Sequence, residues 1–458
     1  MPPDRGCMAL KEGYMIEKAI KLIEEGKFSQ AKNEITEMNV VDIAEVFEEL
    51  DMDKVLVMFR LLPKEIAVDV FSYITTEQQE YLIEAIADKE IKTIVDELFL
   101  DDTVDLLEEM PANIVKKVLK NTDKNKRELI NQFLKYPENS AGSIMTIEYV
   151  DLKKEMTVKE ALEHIKKTGV DKETINTCYV MNQHRRLEGI VSLRKLIINN
   201  EEVVIEEIMQ TNIIAINTHT DQEEIASLMK KYDLLVVPVV DNENRLVGII
   251  TIDDVVDIID QENTEDLQKM AAMQPSDEEY LKTNVFNLAK HRVVWLLVLM
   301  ISATITGNII KRYEDALQAV VVLTAFIPML MDTGGNSGSQ SATLVIRGLA
   351  LDEIRLKDVG KVLWKEFRVS LIVGIVLSVV NFLRIYYLEG EEFLIALTVG
   401  ISLFLTVVLA KVVGGTLPIA AKKVNLDPAI MASPLITTIV DAVALVAYFS
   451  IASYLLGL

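Results

Sequence analysis

The sequence predicts a multi-domain chain: an α-helical, superhelical N-terminal domain, an α/β tandem repeat, and an all-α transmembrane domain of five helices. Three observations predict it. Charge is divided unevenly: of 70 acidic and 47 basic residues, 12 and 13 lie after residue 290, which leaves 58 and 34 before it, a net of −24. Long apolar runs are confined to the part after residue 290. Before it, a strand-turn-strand pattern recurs at a spacing of 59 residues. One half is thus an acidic soluble body and the other is apolar and nearly neutral. So acidic a body repels nucleic acid and attracts cations.

Cys7 and Cys178 are the two cysteines, far apart and without ligand spacing. Neither a disulfide framework nor a zinc site is implied, as suits a reducing cytosol. The N-terminus is polar with no apolar run behind it, so no cleavable signal peptide is expected. Residues 14–136 are dense in amphipathic helical segments, with apolar residues at three- and four-residue steps, as in Ile43, Val46, Phe47 and Leu50. Leu62-Pro63-Lys64-Glu65 and Met110-Pro111-Ala112-Asn113 each open a new helix with proline near its start. Short helices in a repeating pattern predict a superhelical bundle.

Residues 137–260 hold the clearer repeat. Thr177–Met181 precedes Arg186–Ser192 in one copy, and Val236–Val240 precedes Arg245–Thr251 in the other, with Gly189 and Gly248 at equivalent places. Each copy reads as strand, polar turn, strand, then a helix opening at Ser192 or Thr251. A methionine-containing lead-in, Ser143–Thr146 or Glu207–Gln210, stands ahead of each. Residues 261–290 form a polar, helical connector that ends in Lys290-His291-Arg292. Within residues 291–458 five spans are predicted, at about 293–310, 317–345, 367–388, 393–420 and 429–457. The loops after spans two and four are basic, whereas that after span three carries Glu389, Glu391 and Glu392. Basic loops stay inside, so the N-terminus is expected in the cytoplasm and the C-terminus outside a multi-pass cell membrane protein.

Asp441 stands twelve residues into the fifth predicted span, with no basic residue read at mid-span to neutralise it. A carboxylate in hydrocarbon costs roughly several kcal/mol, so it must face a partner or a water-filled path. Ser433, Thr437 and Asp441 fall at i, i+4 and i+8, on one helix face. That face offers only oxygen, which suits a hard, hydrated cation such as magnesium. Span two contains Pro328–Thr343, a glycine-rich polar run with amide oxygens at Asn336 and Gln340. Polar, glycine-broken backbone at membrane depth is tolerated only where it is buried or lines a cavity. No phosphate-binding glycine loop and no His-Glu-x-x-His pair occur, and His164, His184, His219 and His291 are scattered, so an enzyme is not expected.

Residues 137–260 resemble a tandem pair of CBS domains, a regulatory α/β module. The Pro328–Thr343 run, together with Asp427-Pro428, Pro434, Thr437-Thr438 and Asp441, resembles the MgtE magnesium channels, and the order of parts is similar over nearly the whole chain. The resemblance implies a superhelical N domain (14–136), tandem CBS domains (137–260), a connecting plug helix (261–290) and a pore domain (291–458). It implies a homodimer whose pore on the dimer axis holds hydrated Mg2+ at Asp441, with Thr437, Ser433 and Asn336 as neighbouring pore positions. It further implies a magnesium sensor at Asp101 and Asp105 in the N domain, Glu223, Asp233, Asp254 and Asp257 in the second CBS copy, and Glu262, Glu265 and Asp266 opening the plug. Mg2+ would be both transported and regulatory, importing stops when the sensor fills, and membrane lipid and divalent cations are the expected partners. Some members bind ATP at the first CBS copy. Thr177 and Lys195 stand here where Tyr and Asp would, although Arg194 is kept, so ATP is not expected. Two other readings stay open: a sodium-coupled secondary transporter using the same pore groups, and a membrane-tethered CBS receptor without flux.

Overall fold

A computed structural model describes residues 5–276, 280, 281 and 283–457; of residues 5–12 and Ser433 only the backbone is described. The chain divides into two compact units, Met1–Ile258 and Ile259–Leu458. Unit one opens with ten helices among the described residues, α1 (Arg5–Glu24) to α10 (Lys124–Phe133), each of eight to ten residues after the first. Their starts are set by local chemistry. Pro63 and Pro111 cap α5 (Lys64–Tyr73) and α9 (Ala112–Asn121), while Asp123 accepts from the Asn125 and Lys126 amides at the head of α10. In α3 (Val40–Glu48) the periodic residues Ile43, Val46 and Phe47 are buried, as their spacing predicts. α3 packs on α5, α5 on α7 (Asp88–Glu97) and α7 on α9, a helical stack in which each element meets the next but one.

The tandem copies form two three-stranded sheets. β1 (Val150–Leu152) pairs parallel with β2 (Thr177–Met181), which pairs antiparallel with β3 (Leu187–Ser192). β4 (Ile216–Asn217), β5 (Val236–Val240) and β6 (Leu246–Thr251) repeat that order. The repeat has a packing reason. A side-chain carbon on Gly189 would lie 2.7 Å from Met209 Sδ, and one on Gly248 2.8 Å from Met145 Sδ. The methionine leading into each copy therefore crosses to the glycine of the other, and only glycine leaves it room. The helices of this part are α11 (Val158–Thr168), α12 (Leu193–Ile198), α13 (Ile205–Ile208), α14 (Gln222–Tyr232) and α15 (Ile252–Met270). Ser192 caps α12 by accepting from the Lys195 amide.

α15 corrects the connector. It runs unbroken from the last strand of the repeat to Met270, so no separate helix opens at residue 261, and the chain between Met273 and Asn284 is not helical where described. α16 (Val285–Arg312) takes in Lys290, His291 and Arg292, which the hydropathy reading had placed outside the first span. A short α17 (Glu314–Ala319) precedes α18 (Leu323–Ala350), then come α19 (Val359–Leu383), α20 (Phe393–Lys423) and α21 (Ser433–Leu456). Among the described residues, four helical stretches are long and apolar enough to cross a membrane: Val285–Arg312, Leu356–Glu389, Phe393–Lys423 and Pro428–Leu456. α18 is as long, but its serines, glycines and amides keep it out of that set. Contrary to the glycine-broken expectation, α18 is continuous through Gly334, Gly335 and Gly338.

Candidate functional site

α18 and α21 meet through those glycines. A side-chain carbon on Gly334 would stand 3.0 Å from Val440 Cγ1, one on Gly335 2.7 Å from Thr437 Cγ2, and one on Gly338 2.7 Å from Ile436 Cγ2. Position rises on one helix as it falls on the other, so the two run antiparallel in close contact. This register puts Asn336 level with Thr437. A step of four along each helix puts Asp332 level with Asp441, and the opposite step puts Gln340 level with Ser433, whose side chain lies outside the described residues. Asp332, Asn336 and Gln340 form one exposed stripe on α18. Asp441 and Thr437 are half-buried on one stripe of α21.

The chemistry of this ladder is acceptor-rich. Thr437 donates its hydroxyl proton to the Pro434 carbonyl at 2.9 Å, so its oxygen turns only lone pairs outward. One carboxylate oxygen of Asp441 is buried and accepts no hydrogen bond among the described residues, and Asp332 is the charged group whose field reaches it. Asp441 lies two turns from the start of α21, which begins at Ser433 within the apolar stretch Pro428–Leu456 that matches the fifth predicted span. Asp332 was missed by sequence reasoning, although its i, i+4, i+8 spacing with Asn336 and Gln340 mirrors that of Asp441, Thr437 and Ser433. Contrary to the expectation of no basic residue at mid-span, a lysine stands inside one of the apolar helices. Lys411 is buried inside α20, where it reaches Ser341 and not Asp441.

In unit one, α8 (Leu100–Glu109) presents Asp101, Asp102 and Asp105. A cleft of 540 Å³ brings Asp101 and Asp102 together with Glu173, Asp253, Asp254 and Asp257. Asp101 is 9% exposed, and burial, then the charges of Asp102 and Asp254, push its carboxyl well above the usual range. Burial first and Asp254 next push Asp102 and Glu173 up to about 6 and about 7. Asp105 is pushed to about 7 by burial, Glu108, Asp102 and Asp254. Lys126 is the nearby cation, and it spends its donors on the Val95 and Leu98 carbonyls. These are carboxylates held against one another. Of the other sensor candidates, Glu223 and Asp233 are exposed at the two ends of α14, away from this cleft.

Glu262, Glu265 and Asp266 follow on α15. Lys269 pairs with Glu265 at 2.6 Å and with Asp427, ahead of α21, at 2.7 Å. Burial, then Asp427, pushes Asp266 up to about 6. Met270 packs on the cluster of Ala342, Ile346, Ala410, Ala432, Ile436 and Val440, so the end of α15 reaches the apolar cluster shared by α18, α20 and α21. Among the described residues, no three carboxylate, histidine or cysteine side chains are close enough to hold an ion as they stand. Asp102, Glu173 and Asp253 were not singled out from sequence; Glu173 sits in a loop with no periodic signal to find it by.

Residues 327–451 match a family model described as divalent cation transporter, 38–139 match the MgtE intracellular N domain, and 141–199 and 205–261 match the CBS domain. The chain is 37% identical over 440 residues to the magnesium transporter MgtE of Thermus thermophilus, covering 95% of this chain and 97% of that one. It is 34% identical over 439 residues to the magnesium transporter MgtE of Bacillus subtilis, covering 96% and 97%. Among solved structures, the soluble part of a magnesium transporter covers 55% of this chain and 99% of its own, at 26% identity and a TM-score of 0.51. The cytosolic domain of the Mg2+ channel MgtE in complex with ATP covers 52% and 97%, at 36% identity and a TM-score of 0.49.

Proposed function

The chain belongs to the MgtE family of magnesium transporters, a non-enzymatic class of multi-pass membrane protein, and from that premise we propose a homodimeric channel that admits Mg2+ to the cytoplasm and closes when Mg2+ binds its acidic half. The observation that carries the proposal is the oxygen ladder between α18 and α21. Two stripes, with Asp332 level with Asp441 and Asn336 level with Thr437, supply carboxylate, amide and hydroxyl oxygens in an apolar bundle. Mg2+ gives up its water reluctantly, and a row of acceptors can hold its hydration shell without stripping it. In a dimer, Asp332 and Asp441 would give four carboxylates at one level. The five-span count needs α18 to cross with the four apolar helices, which puts the termini on opposite sides, and the basic loops after spans two and four support an inward N-terminus and an outward C-terminus. The working division is 14–136, 137–260, 261–290 and 291–458, with the plug supplied by the tail of α15.

Gating follows from the cleft in unit one. Carboxylates that repel at low Mg2+ open the cleft, and divalent ions bridging them favour the compact state. α15 then carries the change, since Asp254 and Asp257 lie on it and its far end pairs with Asp427, ahead of α21, and packs on the cluster shared by α18, α20 and α21. The unbroken α18 favours a channel over a coupled transporter, because discontinuous helices are the usual site of ion coupling. ATP is no part of the proposal, given Thr177 and Lys195 in the first copy. Mg2+ flux into liposomes tests it: the intact chain should conduct, Asp441→Ala should not, and equal flux in the two would sink the pore assignment.

A further inference from the structure

Three polar side chains inside unit two are used by nothing described so far. Glu366 on α19 is 9% exposed, Lys411 on α20 4% and Ser341 on α18 1%. The Lys411 ammonium donates to Ser341 Oγ at 3.4 Å, and the Ser341 hydroxyl donates to Glu366 Oε2 at 2.6 Å. Donor order is forced: the ammonium has only donors and the carboxylate only acceptors, so the hydroxyl must accept from one and donate to the other. Each bond polarises the next. Opposite charges also spare each other the cost of standing alone in hydrocarbon.

The chain of bonds joins three helices beside the backbone contact of α18 with α20. A side-chain carbon on Gly414 of α20 would lie 2.2 Å from the Gly338 carbonyl of α18. The next residue, Gly415, turns the other way, and a carbon there would lie 3.1 Å from Glu366 Cγ of α19. Ser341 follows Gly338 by one turn of α18, and Lys411 precedes Gly414 by one turn of α20. Glycine-on-glycine contact gives proximity but no ridge against sliding. Directional hydrogen bonds to charged groups supply that stop.

We propose that Glu366, Ser341 and Lys411 form a charge-compensated clamp that fixes the axial register of α18 and so holds its Asp332, Asn336 and Gln340 stripe level with the stripe on α21. They are positioning residues for ion selection, and the inference rests on reading those stripes as the pore. The test uses the full chain in liposomes, with Mg2+ and Ca2+ fluxes per folded protein and thermal unfolding measured on the same samples. Glu366→Gln and Lys411→Met should each lower Mg2+ flux about tenfold or more and reduce the Mg2+:Ca2+ flux ratio, because each strands one buried charge. The double variant should return to within about threefold of the parent, since no charge is stranded and an amide still accepts from Ser341. Ser341→Ala keeps both charges and removes only the link, and it should reduce the flux ratio even where the charge variants fail to fold. Losses that multiply in the double variant, or an unchanged flux ratio in Ser341→Ala, overturn the clamp. A parent chain that passes no Mg2+ overturns both the pore and the clamp; a conducting parent with an unchanged Ser341→Ala ratio overturns the clamp alone.

Discussion

Replacing Asp105 by Asn should stabilise unit one when divalent ions are absent, an inversion of the usual cost of losing a polar side chain. Burial, Glu108, Asp102 and Asp254 together carry the Asp105 carboxyl from 3.8 to about 7. For a wholly desolvated group that displacement would be worth ~4 kcal/mol against the folded, ionised state. Asp105 reaches solvent, and screening reduces the figure to ~1 kcal/mol. In a body of this size ~1 kcal/mol moves the unfolding temperature by about 2–4 °C. The sign follows from a raised folded-state value. Asp105 costs nothing below its unfolded value near 3.8, and the penalty grows with pH until it is full above about 7. Thermal unfolding of the detergent-solubilised chain in chelator, from pH 4 to 8, should therefore show the variant and parent together at pH 4 and the variant higher by pH 8. Millimolar Mg2+ should close the gap by stabilising the parent more. A variant that unfolds at lower temperature at pH 8, or a gap that ignores pH, would refute the claim that these carboxylates repel.

Asp332→Asn should lower Mg2+ flux about tenfold at sub-saturating Mg2+, by removing half the carboxylates at the Asp441 level; flux equal to the parent would take Asp332 out of the pore. Gly414→Ala, whose new carbon meets the Gly338 carbonyl at 2.2 Å, should cost about 1–3 kcal/mol and separate α18 from α20, read as a lower unfolding temperature of the membrane half with the cytoplasmic transition unmoved. Lys269→Met removes the ion pairs to Glu265 and Asp427, which are only partly shielded, and should cost about 0.5–1 kcal/mol of the contact between α15 and the start of α21. The measurable consequence is a two- to fivefold rise (about) in the Mg2+ needed for half-closure; an unchanged midpoint would detach that pair from gating.

Much of the fold is legible in the sequence because its signals are local. The three- and four-residue spacing of Ile43, Val46 and Phe47 marks a buried helix face, and Gly189 and Gly248 mark places where a methionine presses on a strand. Helix limits are less legible, because hydropathy cannot see that α15 continues past the repeat or that α16 begins among polar residues. In the pore, Asp441 stands out as an isolated charge in an apolar run. Asp332 is hidden by the polar residues around it, and the sequence alone does not say that α18 and α21 run antiparallel in the register that brings the two level. Lys411 and Glu366 escape notice for a similar reason: each is tolerable only because of the other, and 45 residues of chain separate them. Glu173 joins the acidic cleft purely through tertiary packing.

On the proposed gating by Mg2+, the energy required calls for several weak sites and not one tight site. Moving a two-state equilibrium from mostly open to mostly closed takes about 5.5 kcal/mol of differential binding. An ion at ten times its dissociation constant, bound only by the closed state, contributes ~1.4 kcal/mol. About four such ions are needed, or two per protomer of a dimer. One very tight site would supply the energy but would saturate far below the Mg2+ concentration to be sensed. Several weak sites supply it only once Mg2+ reaches about ten times their common dissociation constant, and closure then rises steeply with Mg2+. Weakness in turn requires carboxylates that are crowded but not preassembled. The cleft has that character: Asp101, Asp102, Glu173 and Asp254 are pushed up by burial and by one another, yet no three carboxylates among the described residues stand ready to hold an ion. On the proposed gating, each ion draws its ligands together as it binds, and that movement is the mechanical step that α15 passes toward the membrane half.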